Sequence, residues 1–192
     1  MSTGGSSAPI QLPLRHATPA DLPELERLIS ASVQRLSVGY YTPAEVQSAL
    51  KHVFGPDTQL IADRSYYVVT DGARIVGAGG WSRRATLYGG NQMRQEDDPL
   101  LDPARDPARI RAYFVDPDYA RRGIGRQLLA ACAAAAHEAG FRDFVLIATL
   151  PGVPFYAAAG FRREEERVTV LPDGVALRFV RMTRPVVEPK SR

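Results

Sequence analysis

Apolar positions change their spacing several times along the chain, and each change marks an element. Leu12–Ala17 alternates as a strand, with Pro13 confining it to an edge. Thr18-Pro19-Ala20-Asp21 then supplies an N-cap, a first-turn proline and an acid at the third helical position, and Leu22, Leu25, Ile29, Val33 and Leu36 recur at helical spacing. The pattern breaks over Ser37–Tyr41. Thr42-Pro43-Ala44-Glu45 opens a second, shorter helix that Gly55-Pro56 stops. Tyr66–Thr70 and Arg74–Ser82 flank an Asp71-Gly72 turn and predict a hairpin. Gly77, Gly79 and Gly80 in its second strand fit a bulge, a backbone close to a ligand, or plain irregularity.

The most ordered pattern runs from Ile110 to Phe161. An extended run, Ile110–Val115, stops at Asp116-Pro117; an Arg- and Gly-rich loop opens an Ala-rich helix ending at Gly140; a second apolar run, Phe144–Thr149, follows. Strand, helix, strand in this spacing predicts a parallel crossover unit, with the Gly-rich loop at the carboxyl end of a strand. Val168–Leu171 and Val175–Val180 close the chain as a hairpin around Pro172-Asp173-Gly174. Arg83–Ala108 is a long loop carrying Tyr88-Gly89-Gly90-Asn91 and the acids Glu96, Asp97, Asp98 and Asp102; solvated surface and substrate-facing flap both fit it. Residues 1–9 are Ser/Gly-rich and 185–192 polar, so residues 10–184 are expected to form one domain between two tails.

Composition narrows the function. With 24 basic against 21 acidic side chains, a net charge of +3 and interleaved signs, the chain lacks the clustered basic face a nucleic-acid binder needs. Its pI of 9.2 reflects only that small excess. No apolar run approaches the ~20 residues of a membrane helix, so a soluble, cytoplasmic protein is expected. The single cysteine, Cys132, forbids an internal disulfide and lies among helical alanines, as a small core residue would. His16, His52 and His137 are widely separated, and no metal-ligand spacing or nucleophile elbow is present, so no metal is expected.

The candidate chemistry lies in Arg121-Arg122-Gly123-Ile124-Gly125-Arg126. First-turn N–H groups of a helix have no intrahelical partner and carry the positive dipole end, and two glycines let a phosphate approach them. A tight turn with solvated arginines explains the same residues. Leu128 and Thr149 stand where a dinucleotide fingerprint needs a glycine and an acid; Lys51 and Lys190, the only lysines, are remote from any Walker loop.

The stretch resembles the GNAT superfamily of acetyl-CoA-dependent N-acetyltransferases. The family signature Gln/Arg-x-x-Gly-x-Gly/Ala is matched by Ala120-Arg121-Arg122-Gly123-Ile124-Gly125, with Ala in the leading position. A second motif, Asn-x-x-Ala-x-x-Phe/Leu-Tyr-x-x-x-Gly-Phe, reads Thr149-Leu150-Pro151-Gly152-Val153-Pro154-Phe155-Tyr156-Ala157-Ala158-Ala159-Gly160-Phe161, with Thr and Gly replacing Asn and Ala. The resemblance implies a mixed α/β (α+β) fold: a mostly antiparallel twisted sheet with a central parallel βαβ unit and flanking helices. It implies acetyl-CoA as co-substrate, with no metal, and direct transfer to an amine of a small molecule or peptide.

By the same resemblance, Phe114 and Val115 would hold the pantetheine arm and the thioester carbonyl. Arg121, Arg122, Gly123, Ile124, Gly125, Arg126 and Thr149 would contact the cofactor, and Tyr156 would protonate the leaving thiolate. A packed aromatic is the other reading of Tyr156. The loop between the first two helices, with Tyr40, would border the acceptor cleft, and a second copy of the chain is a permissible partner. Family members that carry an acid or His as base have it where Arg109 and Arg111 stand here. Arginine cannot accept a proton, which leaves water, a loop carboxylate or Tyr113, and keeps open a non-catalytic acyl-CoA-binding module. Strand alternation places Arg109, Arg111 and Tyr113 on one face, unless a bulge intervenes, and Ile110, Ala112 and Phe114 on the other. Arg111 is then expected to pair either with Glu96, Asp97, Asp98 or Asp102, or with an anionic group on the acceptor.

Overall fold

The computed structural model describes residues 11–93 and 98–186; the N-terminal tail to Pro9, Glu96, Asp97 and residues 187–192 lie outside the described residues. Seven strands form one sheet in the order β1-β2-β3-β4-β5-β7-β6. They are β1 (Leu14–His16), β2 (Tyr66–Asp71), β3 (Arg74–Ser82), β4 (Ala108–Val115), β5 (Asp143–Thr149), β6 (Arg162–Val170) and β7 (Ala176–Pro185). Only the β4–β5 pair is parallel; the other five pairs are antiparallel. The helices are α1 (Leu22–Leu36), α2 (Pro43–His52), α3 (Thr58–Ala62), α4 (Ile124–Glu138) and α5 (Val153–Ala158).

One face of the sheet packs on α4, through Leu128, Leu129, Cys132 and Ala136 against Ile110, Phe144, Leu146 and Met182. On the other, Leu25 and Leu28 of α1 meet Tyr66, Val68 and Ile75, and α2 packs through Ala49 and Val53 on Leu177 and Phe179. Burying these side chains, at roughly 25 cal/mol per Å² of apolar surface, is what holds the layers together. Gly77 is required where α4 crosses β3, because a Cβ there would overlap the Ile124 side chain.

Three features differ from the expectation. The closing hairpin is longer, since β6 begins at Arg162 and β7 runs to Pro185; every β6 residue except Thr169 is exposed, so this edge strand lacks the apolar alternation that would mark it. Helix α3 was not foreseen: it is five residues long, and the Asp57 carboxylate caps it by accepting from Gln59 N and Leu60 N at 3.1 and 3.2 Å. The long loop is pinned rather than free at its ends. Ala85 N and Leu101 N donate to Pro99 O and Arg83 O, and Gly90 N and Asn91 N donate to Val53 O and Pro56 O. Among the described residues, no helix is long and apolar enough to cross a membrane.

Candidate active site

The site is built by a parting of strands. Parallel pairing of β4 and β5 covers only Ala108↔Phe144 and Arg109↔Val145, while β5 and β7 stay paired as far as Thr149↔Phe179. From Ile110 onward the β5-facing edge of β4 is therefore open, and unpaired main-chain groups there are available to a ligand. A bulge produces the divergence: against β3 the register jumps from Gly80↔Arg111 to Ala78↔Phe114, and Ala112 takes φ 55°. Tyr66 Oη donates to the Ala112 carbonyl at 3.2 Å and so holds the bulge.

The bulge corrects the face assignment. Tyr113 and Val115 pack with Ile110 on the α4 face, whereas Ala112 and Phe114 pack with the α1 cluster. Tyr113, placed with the arginines by simple alternation, points away from them and donates to Cys132 Sγ at 3.1 Å. Burial pushes its phenol well above the ordinary tyrosine range and the Cys132 thiol up to about 12, so that sulfur is a core atom and not a nucleophile.

Arg111 also departs from both expected partnerships. It is buried, its guanidinium lies 2.7 Å from Asp57 and it donates to Gly89 O at 2.9 Å. Of the loop acids among the described residues, Asp98 accepts from Thr86 N at 2.7 Å and Asp102 from Ala104 N at 3.0 Å. Arg111 thus ties α3 and the 88–93 segment to β4, because a buried charge demands a buried counter-charge. Arg109, half-buried, donates to Pro107 O at 3.1 Å.

At the carboxyl end of β4, Asp116 is fully buried and paired with Arg74 at 2.7 Å and Arg27 at 3.3 Å. It fixes the entry to the glycine loop. Gly123 caps α4 at φ 92°, and Arg121 precedes it at φ 65°. The first main-chain bond of the helix is Gln127 N to Gly123 O at 3.0 Å, so the N–H groups of Ile124, Gly125 and Arg126 lie ahead of it, at the positive dipole end. The Ile124 side chain is core, while Arg121 and Arg126 are exposed and Arg122 lies 5.3 Å over the Tyr119 ring. Gly125 has a second duty: a Cβ there would stand 3.0 Å from the Phe155 ring. Between α4 and α5 runs an open groove of about 310 Å³, walled by Leu129, Ala130, Ala133, Ala158 and Ala159 and flanked by Arg126 and Arg184. A larger cavity of about 460 Å³ by Gly140 and Val186 lies at the far end of α4 from the glycine loop.

Beyond β5, Thr149 caps a 3-10 turn, Leu150–Gly152, that leads directly into α5. Tyr156 is buried there against Phe155, Phe161 and the Tyr113 ring, at centroid separations of 5.0, 5.5 and 6.1 Å. Burial, with the nearby Cys132 sulfur, holds its phenol well above the ordinary value and therefore protonated. Phe114, Val115, the glycine loop, Thr149 and Tyr156 are thus gathered around the parting of β4 and β5. Tyr40 is not among them; 44% exposed, it sits in the turn after α1. Its neighbour Tyr41 points inward instead, donating to Arg178 O at 2.6 Å and accepting from Leu150 N at 2.9 Å. That role was missed, although two tyrosines at the break between helices were the signal available.

The sheet thus opens between its two parallel strands, with a glycine-headed helix on one side and a buried tyrosine on the other. The sequence profile of the acetyltransferase (GNAT) domain matches residues 62–163, more than half of the chain, and the chain belongs to that family of acetyltransferases. No curated protein sequence matches it. Its fold is similar to that of a GCN5-related N-acetyltransferase from Rhodopseudomonas palustris, with TM-score 0.68 and 21% identity over 94% of this chain and 99% of that one. It is also similar to the PaiA N-acetyltransferase of Thermoplasma acidophilum in complex with coenzyme A (0.62, 14%, 92% and 99%). A third likeness is to the ribosomal-protein-S18-alanine N-acetyltransferase of Escherichia coli (0.57, 16%, 95% and 98%).

Proposed function

We propose that this protein transfers the acetyl group of acetyl-CoA directly to an amine of a small molecule or peptide. The observation that carries the reading is the parting of β4 from β5 after Arg109↔Val145, with the glycine loop and Tyr156 on its two sides. Acetyl-CoA supplies the activated acyl group when bound; the protein supplies position, charge and protons.

The N–H groups of Ile124, Gly125 and Arg126, with Arg121, Arg122 and Arg126 around them, suit a diphosphate. The open edge of β4 at Phe114 and Val115 offers main-chain partners to the amide-bearing arm. Tyr156 keeps its proton at neutral pH and can give it to a departing thiolate. For deprotonation of the amine, Arg109 and Arg111 cannot act as base, Tyr113 is on the α4 face, and Asp98 and Asp102 are held within their loop, which favours water among the described groups. With Arg111 engaged by Asp57 and Gly89, the acceptor needs no carboxylate to neutralise it.

Incubation with acetyl-CoA and a panel of polyamines, amino acids and peptides, followed by mass analysis of the amines, tests the reading. Acetylation of at least one amine class is expected. CoA binding without acetylation of any amine would instead make the chain an acyl-CoA-binding module.

A further inference from the structure

The hydroxyl of Tyr41 completes a rung that two strands cannot make for themselves. Strands β5 and β7 pair as far as Thr149↔Phe179. The next main-chain groups, Leu150 N–H and Arg178 C=O, both go to Tyr41 Oη, at 2.9 and 2.6 Å. The ring is packed into the α2 cluster beside Ala49, Val53 and Phe179, so the hydroxyl is fixed from behind. Burial pushes this phenol up to about 12, which keeps it a neutral group able to donate and accept at once.

What Tyr41 holds is the start of the segment that carries Tyr156. Leu150 opens the 3-10 turn that ends at Gly152, and α5 follows without an intervening residue. The turn also seats the tyrosine ring: a Cβ on Gly152 would stand 3.2 Å from Thr149 Oγ1 and 3.4 Å from Tyr156 Cε2. Because α5 continues directly from this turn, a shift of Leu150 is passed along the main chain to the first turn of α5, where Tyr156 stands. The same α2 side is tied to the β6–β7 turn by Ser48 Oγ donating to Asp173 at 2.8 Å, and Tyr88 Oη stands 3.0 Å from Thr169 Oγ1. The surroundings of Tyr41 are thus held at several points.

We infer that Tyr41 is a positioning residue for acetyl transfer: by holding Leu150 N–H and Arg178 C=O together it sets the Leu150–Gly152 turn, and hence where the Tyr156 hydroxyl stands, from a loop on the opposite face of the sheet. The inference rests on Tyr156 being the proton donor. Tyr41→Phe keeps the ring and removes only the hydroxyl. Its kcat should fall about tenfold, the worth of one buried hydrogen-bonding group, while CoA affinity stays within about twofold. In a Tyr156→Phe background the same substitution should change kcat by less than about twofold, because groups that act through one another are not additive. Amide exchange across residues 150–158, followed by mass spectrometry on the CoA-free protein, should quicken in Tyr41→Phe. An equal fall in kcat in both backgrounds, or unchanged exchange over that segment, would overturn the inference. Should Tyr156→Phe itself retain full kcat, the proton-donor reading falls and this role for Tyr41 falls with it, whatever the exchange shows about the turn.

Discussion

Gly125 lies against Phe155, the neighbour of Tyr156, and Gly125 and Tyr156 can each be tested by a change of few atoms. Tyr156→Phe preserves the contacts with Phe155 and Phe161 and should lower kcat roughly 100-fold with CoA affinity unaltered, as loss of a positioned acid does. Near-normal kcat would return the residue to packing. At Gly125, charge and volume must be separated, because even a methyl group meets Phe155 at 3.0 Å. Gly125→Ala should weaken CoA binding by a few-fold, while Gly125→Asp, which sets an anion against the diphosphate seat, should abolish it by calorimetry. Equal affinities for the two variants would remove the loop from the cofactor site. The places of both residues, at the head of α4 and within α5, were legible in the sequence because their spacing to Gly123 and Gly160 is local. Tyr41 and Asp57 were not: their partners, Leu150, Arg178 and Arg111, are distant in sequence and meet only through the fold.

At the scale of elements, the bulge at Ala112 decides which side chains share a face, and no residue there announces it. A strand carrying an alanine at φ 55° looks like any other strand in sequence, so alternation alone put Tyr113 beside Arg111. The glycines opposite were the available hint: Gly79 lies between the paired positions Ala78 and Gly80, and a Cβ on it would collide with the Tyr113 ring at 2.8 Å. Arg111 then has to be neutralised by α3, the short helix the sequence concealed. Arg111→Met should remove the buried counter-charge 2.7 Å from Asp57 and cost about 3–5 kcal/mol in urea unfolding. Adding Asp57→Asn, which retains a capping side chain without the charge, should recover more than half of that loss. Failure to recover would mean that the arginine acts on stability through something other than this pair.

The whole molecule shows its electrostatics on acidification. Asp21 is held at about 2, first by the hydrogen bond from Arg15 and then by Thr18, against the opposing effect of burial. Asp116, against the raising effect of its burial, is lowered by Asp118 N–H, Arg74 and Arg27, and Asp63, likewise against burial, is lowered by Arg84 and Gln59. A carboxylate whose folded value is depressed adds stability that is present above its unfolded value and is lost as pH falls through the folded one. The melting temperature should therefore hold steady from pH 7 to about pH 5 and fall between about pH 4 and 2, with a shallower fall in Asp21→Asn. A decline already complete at pH 5 would contradict these assignments. The central crossover was legible from the sequence, since a strand, helix and strand in parallel pairing close right-handed almost without exception. The extent of β6 and the pinned loop were not, because edge strands and main-chain contacts leave little trace in side-chain pattern.

The claim that joins these scales is that the opening between β4 and β5 is a seat for acetyl transfer, and it is tested most directly by the initial rate of thiol release from acetyl-CoA as an amine is titrated in. The rate is expected to rise with amine concentration to a plateau set by kcat, with that plateau about 100-fold lower in folded Tyr156→Phe. Thiol release that is independent of amine, or absent with every acceptor class while CoA still binds, would contradict it.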